Sequence, residues 1–157
     1  MQIADLLSPE GVVAALKVQG KKQLLQELSA RASPLVRIPE RRIYDTLTER
    51  ERLGTTGVGQ GIAIPHGRLA NIDKIAGVFV RLETAIEYDA VDNQPVDLVF
   101  MLLAPEGAGA DHLKALARVS RLLRNQAVCE KLRAAKSAEA LYAILTEPAA
   151  GTNSVAA

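Results

Sequence analysis

The two histidines of the chain, His66 and His112, are the residues best suited to covalent chemistry. His66 lies between Pro65 and Gly67, directly after a short apolar run. An accessible imidazole can be neutral near pH 7, and a neutral imidazole is a nucleophile that forms a labile bond to phosphorus. Gly67 has no side chain to obstruct an incoming phosphoryl donor. The sequence therefore predicts that His66 is a phosphoryl acceptor or, alternatively, a loop histidine that bonds a backbone carbonyl.

The segment before His66 is rich in glycine. Residues 54–67 read GTTGVGQGIAIPHG and hold five of the 11 glycines. Glycine allows positive φ and close backbone approach, so we expect a loop whose amides can come near a ligand. The pattern lacks G-x-x-x-x-G-K-[ST], and it does not have G-x-G-x-x-G opening a helix. Because Ile64 precedes proline, and Pro65 has no N–H, we expect an extended segment that ends at the rim of a sheet and delivers His66 to the surface.

His112 follows the loop 104–111, which leaves a presumed central strand. In open α/β sheets, ligand crevices form beyond such strand ends. Leu116 and Val119 lie four and seven residues further on, so His112 continues the inward stripe of a helix. It also lies in the first turn, where the helix dipole disfavours imidazolium and favours an anion. A neutral His112 can therefore donate to His66 or to a phosphoryl oxygen; the alternative is a half-buried histidine satisfied by a carbonyl.

Arg50 is the third candidate. Ile43, Leu47 and Arg50 are spaced as i, i+4 and i+7, so Arg50 extends an apolar stripe toward the glycine-rich segment. The planar donors of arginine suit phosphate oxygens. Arg52 and Arg68 are nearby rivals, and the alternative for Arg50 is a cation that complements the helix dipole.

The elements that must position these residues alternate between strands and helices. Strands are predicted at 12–18, 75–82 and 96–104, and helices at 21–32, 39–53, from 111 to 125, at 129–135 and at 137–145. The run at 96–104 is almost purely apolar, as in a strand buried on both faces. We therefore expect one α/β domain whose sheet is covered by helices.

Composition excludes several function classes. The chain has 157 residues and a formal net charge of +1, with 19 basic and 18 acidic residues, so we expect no binding to nucleic acid or to a membrane surface. No stretch approaches the roughly 18 apolar residues of a membrane span, so we expect no membrane insertion. The N-terminal residues do not resemble a signal peptide, and the cytoplasm is the expected compartment. No metal-ligand spacing and no G-x-S-x-G pattern is present, so we expect no metal and no cofactor. The small, polar tail at 148–157 is expected to be frayed.

The run RERLGTTGVGQGIAIPHGR, at 50–68, resembles the active-site signature of enzyme IIA domains of the phosphoenolpyruvate-dependent sugar phosphotransferase system, in the mannitol/fructose class. The run DNQPVDLV at 92–99, followed by His112, is similar to the nitrogen-related branch of that class, IIA-Ntr. The similarity extends to about Thr146. It implies one IIA domain over residues 1–147, with a mixed β-sheet sandwiched between helices.

The resemblance also implies roles for residues. His66 would accept a phosphoryl group from an HPr-like phosphocarrier protein (NPr), and His112 and Arg50 match the second histidine and the arginine that stabilise the phosphate. The expected binding residues of the glycine-rich segment are Thr56, Gly57, Gly61 and Gly67.

Three functions remain open at this point. In the nitrogen-related branch, the protein would regulate nitrogen and potassium physiology, with a potassium transporter or a sensor kinase among its partners. In sugar-transporting relatives, the phosphoryl group would pass to a transporter's IIB domain. The third function is an interaction module that does not depend on phosphorylation. Val58, Ile62 and Ile64 would then be either a docking patch around His66 or ordinary core.

Overall fold

The apolar run predicted as a central strand lies in the middle of the sheet. The computed structural model describes residues 1–147, so the expected tail at 148–157 lies outside the described residues. In chain order, the elements are α1 (Ile3–Leu6), β1 (Val12–Leu16), α2 (Lys21–Val36), α3 (Glu40–Arg52), β2 (Gly57–Gly59), β3 (Ile62–Ala63), β4 (His66–Leu69), β5 (Ala76–Ile86), β6 (Val96–Pro105), α4 (Gly109–Arg124), α5 (Gln126–Ala134) and α6 (Ala138–Thr146), with a 3₁₀ turn at Pro9–Gly11.

The sheet is mixed. Its strand order is β1-β5-β6-β3-β2, and β4 also pairs with β6. Strands β5 and β6 are antiparallel, whereas β3 and β4 follow one another along the other edge of β6 and are parallel to it. The predicted α/β class with a mixed sheet between helices is therefore confirmed.

Strand β6 is buried on both faces, as predicted. Because side chains alternate along a strand, Val99 and Met101 join one core cluster, while Phe100 and Leu102 join the other. The first cluster includes residues of α2 and α3, and the second includes residues of α4, α5 and α6. Helices thus cover the sheet on both sides, and the loop after β6 leads directly into α4.

Strand β3 ends at Ala63, before Pro65, but the prediction that the extended segment ends at the rim of the sheet is wrong. The chain resumes as β4 at His66, which pairs in parallel with Leu102. Pro65 lacks an N–H, but its carbonyl still accepts the amide of Leu102 at 3.0 Å, so the ladder continues across the proline. His66 is therefore the first residue of a strand with a fixed register, not the tip of a loop.

Other boundaries differ for local reasons. Helix α2 runs to Val36, past Ala32, and includes Pro34 before it ends at Arg37 with a φ of 59°. Helix α5 begins at Gln126, earlier than predicted, because the side chain of Asn125 accepts the amides of Ala127 and Val128. Helix α6 begins after Ser137, whose side chain accepts the amide of Ala140, in agreement with the helix predicted at 137–145.

Arg81 ties the end of α5 to the sheet. Its Nε donates to the carbonyl of Ala14 at 2.9 Å, and its Nη1 donates to the carbonyls of Leu132 and Ala135 at 2.8 and 2.7 Å. Carbonyls at a helix C-terminus have no intrahelical partner, so this guanidinium satisfies groups that would otherwise be unpaired.

We predict that Arg81→Met lowers the free energy of unfolding by about 1–3 kcal/mol, because these carbonyls lose charged donors. Urea denaturation measures the change. Arg41→Met is the matched control, since that side chain is 84% exposed and forms only an i,i+4 ion pair. An equal loss in both variants would contradict this role of Arg81.

Candidate functional site

His66 and His112 lie close together where β4 faces the first turn of α4. Their ring centroids are 5.4 Å apart, and the ring planes meet at 74°, so one ring presents an edge to the other. His66 is half-buried, whereas His112 is only 4% exposed. The two histidines are thus neighbours even though 46 residues separate them in the chain.

The two ring nitrogens of His66 have different partners. Nδ1 lies 2.8 Å from the carbonyl oxygen of Ile64, and Nε of Arg50 lies 3.3 Å from Nε2. A carbonyl only accepts and a guanidinium only donates, so the proton belongs on Nδ1 and the lone pair on Nε2. Both interpretations of His66 from the sequence therefore describe part of this ring: one nitrogen bonds a carbonyl, and the other is left with its lone pair.

The surroundings of His66 favour the uncharged ring. Burial lowers the pKa of His66 below its ordinary value of 6.5. The hydrogen bond to Ile64 acts in the opposite direction, and the positive charge of Arg50 lowers the pKa further. Near neutral pH, the ring is therefore a neutral imidazole.

His112 is also held uncharged. Nε of Arg68 lies 3.4 Å from Nδ1 of His112, so the proton of this ring belongs on Nε2. Burial, His66 and Arg68 together lower the pKa of His112 to about 4. Its Nε2 is buried and has no hydrogen-bond partner within residues 1–147. A buried N–H without a partner is costly, and it could be satisfied by an anionic oxygen.

The three candidate arginines, Arg50, Arg52 and Arg68, have different partners in the structure. Arg50, in the last turn of α3, contacts His66 and also donates to the carbonyl of Gly54 at 2.9 Å. Arg52 pairs with Glu49 on the exposed side of the same helix. Arg68, which was only a rival, contacts His112 instead. The structure thus brings Arg50, His66 and His112 together.

The glycine-rich segment is a short hairpin rather than an open loop. A Cβ on Gly57 would come within 2.8 Å of Cβ of Ala90. A Cβ on Gly61, which has a φ of 83°, would meet Arg133 Nη2 at 2.6 Å. Packing alone therefore accounts for glycine at both positions, and the binding role of Gly57 and Gly61 stays a prediction.

Gly67 and Thr56 are likewise constrained. A Cβ on Gly67 would come within 2.5 Å of Cγ2 of Thr46, so Gly67 allows α3 to approach β4. The hydroxyl of Thr56 contacts the carboxylate of Glu51 and the hydroxyl of Tyr88. Their predicted binding roles remain untested.

The apolar residues around the site differ from the expected patch. Ile62 and Ile64 belong to the core, and only Val58 is exposed. Two further apolar residues, Leu53 just after α3 and Leu113 next to His112 in the sequence, are 85% and 66% exposed. Sequence reasoning missed both because neither lies in the glycine-rich segment.

Glu51 is a second residue that the sequence analysis missed. Its side chain is 6% exposed and accepts Nζ of Lys21 at 2.8 Å. A signal was available: Ile43, Leu47 and Glu51 are spaced as i, i+4 and i+8, so Glu51 lies on the buried stripe of α3.

The arrangement suits an anion rather than a metal. Within residues 1–147, no group of three or more His, Cys, Asp or Glu side chains could hold a metal ion. In the same part of the chain, no helix combines the length and the apolar character that a membrane span needs. A guanidinium and an unpartnered imidazole N–H beside a neutral imidazole can instead hold a small anion against a nucleophile.

Comparisons with known proteins show the family of the chain. Residues 5–147 match the family "Phosphoenolpyruvate-dependent sugar phosphotransferase system, EIIA 2". A nitrogen regulatory protein of Bradyrhizobium diazoefficiens is 57% identical over 150 residues, which cover 96% of this chain and 98% of that protein. A nitrogen regulatory protein of Escherichia coli (strain K12) is 41% identical over 148 residues, covering 94% and 91% of the two chains.

Solved structures with the same fold include a nitrogen regulatory protein and a mannitol IIA protein. Nitrogen regulatory protein IIA-Ntr from Neisseria meningitidis has a TM-score of 0.88 at 36% identity, covering 92% of this chain and 99% of that chain. IIA mannitol from Escherichia coli shares the fold, with a TM-score of 0.75 at 18% identity, covering 88% and 97%. The chain therefore belongs to the EIIA 2 family of the phosphoenolpyruvate-dependent sugar phosphotransferase system, in the branch that contains the nitrogen regulatory proteins.

Proposed function

We propose that this protein is a phosphocarrier and regulator of a nitrogen-related phosphotransferase system. His66 accepts a phosphoryl group from a histidine of an HPr-like carrier (NPr), and the phosphorylation state controls which partners bind. The observation that carries the proposal is the neutral His66 ring, whose Nδ1 is engaged by Ile64 while Arg50 lies beside Nε2. The protein acts as a component of a relay rather than as a stand-alone enzyme with its own turnover.

The transfer step is an exchange between two imidazoles. The lone pair on Nε2 of His66 attacks the phosphorus atom, and the N–P bond of the donor breaks. The donor ring enters as a phosphorylated imidazolium and leaves as neutral imidazole, because it keeps the electron pair of the broken bond. His66 retains its Nδ1 proton, so the phosphorylated ring carries a positive charge that the Ile64 carbonyl stabilises.

Arg50 and His112 act on the charge of the phosphoryl oxygens. The Arg50 guanidinium is a permanent cation with several donors. The Nε2–H of His112 is a donor that lacks a partner until an oxygen reaches it. Donors that are already oriented lower the barrier because they need no reorganisation during transfer.

Phosphorylation would also change the surface that partners meet. The phosphoryl oxygens carry roughly two negative charges, of which the positive ring offsets one, so the site gains a net negative charge. The exposed residues Leu53 and Leu113 lie close in sequence to Arg50 and His112, respectively. A partner that buries these leucines would be repelled, unless it supplies arginine. This accounts for control of a potassium transporter or a sensor kinase by phosphorylation state, and the expected cytoplasmic location belongs to the same proposal.

We predict that a phosphoenolpyruvate-charged relay ending in the HPr-like carrier adds one acid-labile phosphoryl group to the wild-type protein and none to His66→Ala. Intact-protein mass spectrometry measures the adduct. His112→Ala is the companion variant, and we expect it to slow phosphorylation by about 100-fold without stopping it. An adduct that survives in His66→Ala would overturn the assignment.

We predict that both histidines titrate below the ordinary value of 6.5, His112 at about 4. Their lowered pKa values mean that the folded state binds fewer protons than the unfolded state. The free energy of unfolding should therefore be highest above pH 6.5 and should fall as the pH drops toward 4. Histidine NMR measures the titrations, and urea denaturation measures the stability.

His112→Gln is the control for this pH dependence. It removes one titrating group, so its stability should fall less steeply between pH 6.5 and 4 than that of the wild type. Equal slopes, or a His112 midpoint near 6.5, would contradict the picture of a buried, neutral ring.

A further inference from the structure

We propose that Glu51 is a positioning residue for His66, which acts through Thr56 and two backbone hydrogen bonds to fix the proton of the ring on Nδ1. This inference rests on the proposed function, in which Nε2 of His66 is the nucleophile. It assigns a role to a buried carboxylate that the phosphoryl-transfer step itself does not use.

The carboxylate of Glu51 is fully satisfied inside the protein. Oε1 accepts from Nζ of Lys21 at 2.8 Å and from the amide of Thr56 at 3.2 Å. Oε2 accepts from the hydroxyl of Thr56 and from the hydroxyl of Tyr88, the latter at 3.1 Å. A buried charge is tolerated only with such partners, so these four donors hold the Glu51 carboxylate and Thr56 in one arrangement.

Tyr88 and Lys21 close this cluster. Burial and the charge of Glu51 raise the pKa of the Tyr88 phenol well above its usual range, so the hydroxyl stays protonated and donates. Nζ of Lys21 lies 4.5 Å from the centre of the Tyr88 ring. The cluster therefore joins the start of α2, the end of α3 and the segment after β5 around Thr56.

Two backbone hydrogen bonds connect Thr56 to the His66 ring. The amide of Ile64 donates to the carbonyl of Thr56 at 3.0 Å. The carbonyl of Ile64 then accepts Nδ1–H of His66 at 2.8 Å. Because Glu51 fixes both the amide and the hydroxyl of Thr56, it also fixes the direction of the Ile64 carbonyl that selects the tautomer.

Glu51 serves the other side of the ring as well. It follows Arg50 directly, and its backbone carbonyl accepts the amide of Gly54, whose own carbonyl accepts from Arg50. The charged and titratable groups that act on His66 are Arg50, Glu51 and His112. The negative charge of Glu51 raises the pKa of His66. Replacing Glu51 by a neutral residue should therefore lower the pKa of His66 further.

The test is Glu51→Gln in the full chain with isotope-labelled histidine. The Gln side chain has the same shape as Glu, but its NH₂ group is a donor. It would therefore disturb the contacts with the hydroxyls of Thr56 and Tyr88, which both donate. In the unphosphorylated protein, NMR of the imidazole nitrogens should show loss of the pure Nδ1–H form of His66 and a lower pKa. Phosphorylation at saturating carrier should slow by roughly 10- to 100-fold with little change in the KM for the carrier, because the buried carboxylate does not meet the carrier.

Glu49→Gln is the matched control. It is the same substitution two residues earlier on α3, where the side chain is 69% exposed and pairs only with Arg52. We expect the wild-type tautomer and rate in that variant. Thr56→Val replaces the hydroxyl by a methyl group and is the second variant, to be used if Glu51→Gln does not fold. We expect the same loss of the Nδ1–H form of His66 in Thr56→Val.

The inference is overturned if Glu51→Gln, or Thr56→Val in its place, folds and leaves the His66 tautomer as in the wild type. A purely structural role would lower thermal stability without changing the tautomer. The NMR measurement needs no carrier, so it separates the two proposals. If the wild type accepts no phosphoryl group, the proposed function fails, and a tautomer shift in Glu51→Gln still supports positioning.

Discussion

The hydrogen bond from Nδ1 of His66 to the carbonyl of Ile64 is the constraint on which the site depends. It decides where the imidazole proton lies, and therefore which nitrogen has the free lone pair. Arg50 can approach Nε2 as a donor only because that nitrogen is unprotonated. Had the proton been on Nε2, the guanidinium would meet another donor, and Nε2 would have no lone pair for a nucleophilic attack.

The fold supports this hydrogen bond by fixing the backbone on both sides of Pro65. Ala63 pairs with Val99 before the proline, and His66 pairs with Leu102 after it. Both partners are buried residues of β6, the strand in the middle of the sheet. The position of the Ile64 carbonyl is therefore set by pairing to the central strand on both sides of Pro65. The two cations come from different elements, Arg50 from α3 and Arg68 from β4.

Local patterns allowed much of this to be predicted from the sequence. The apolar run of β6 and the succession of strand and helix patterns along the chain predicted the α/β class, and helical spacing placed Arg50 on the correct stripe. The same spacing rule also applied to Glu51, but the partners that satisfy its carboxylate come from α2 and the segment after β5, which no local pattern brings to α3. Strand β4 was missed because proline was expected to end the ladder, although its carbonyl can still accept. The contact between Arg68 and His112 joins residues 44 positions apart, and no local pattern encodes it.

The central claim is that Nε2 of His66 is the phosphoryl acceptor while Nδ1 keeps its proton. The most direct measurement is NMR of the phosphorylated protein with isotope-labelled histidine, in which coupling between phosphorus and nitrogen identifies the bonded atom. The account predicts coupling to Nε2 of His66 and a proton on Nδ1. Coupling to Nδ1, or to either nitrogen of His112, would contradict it.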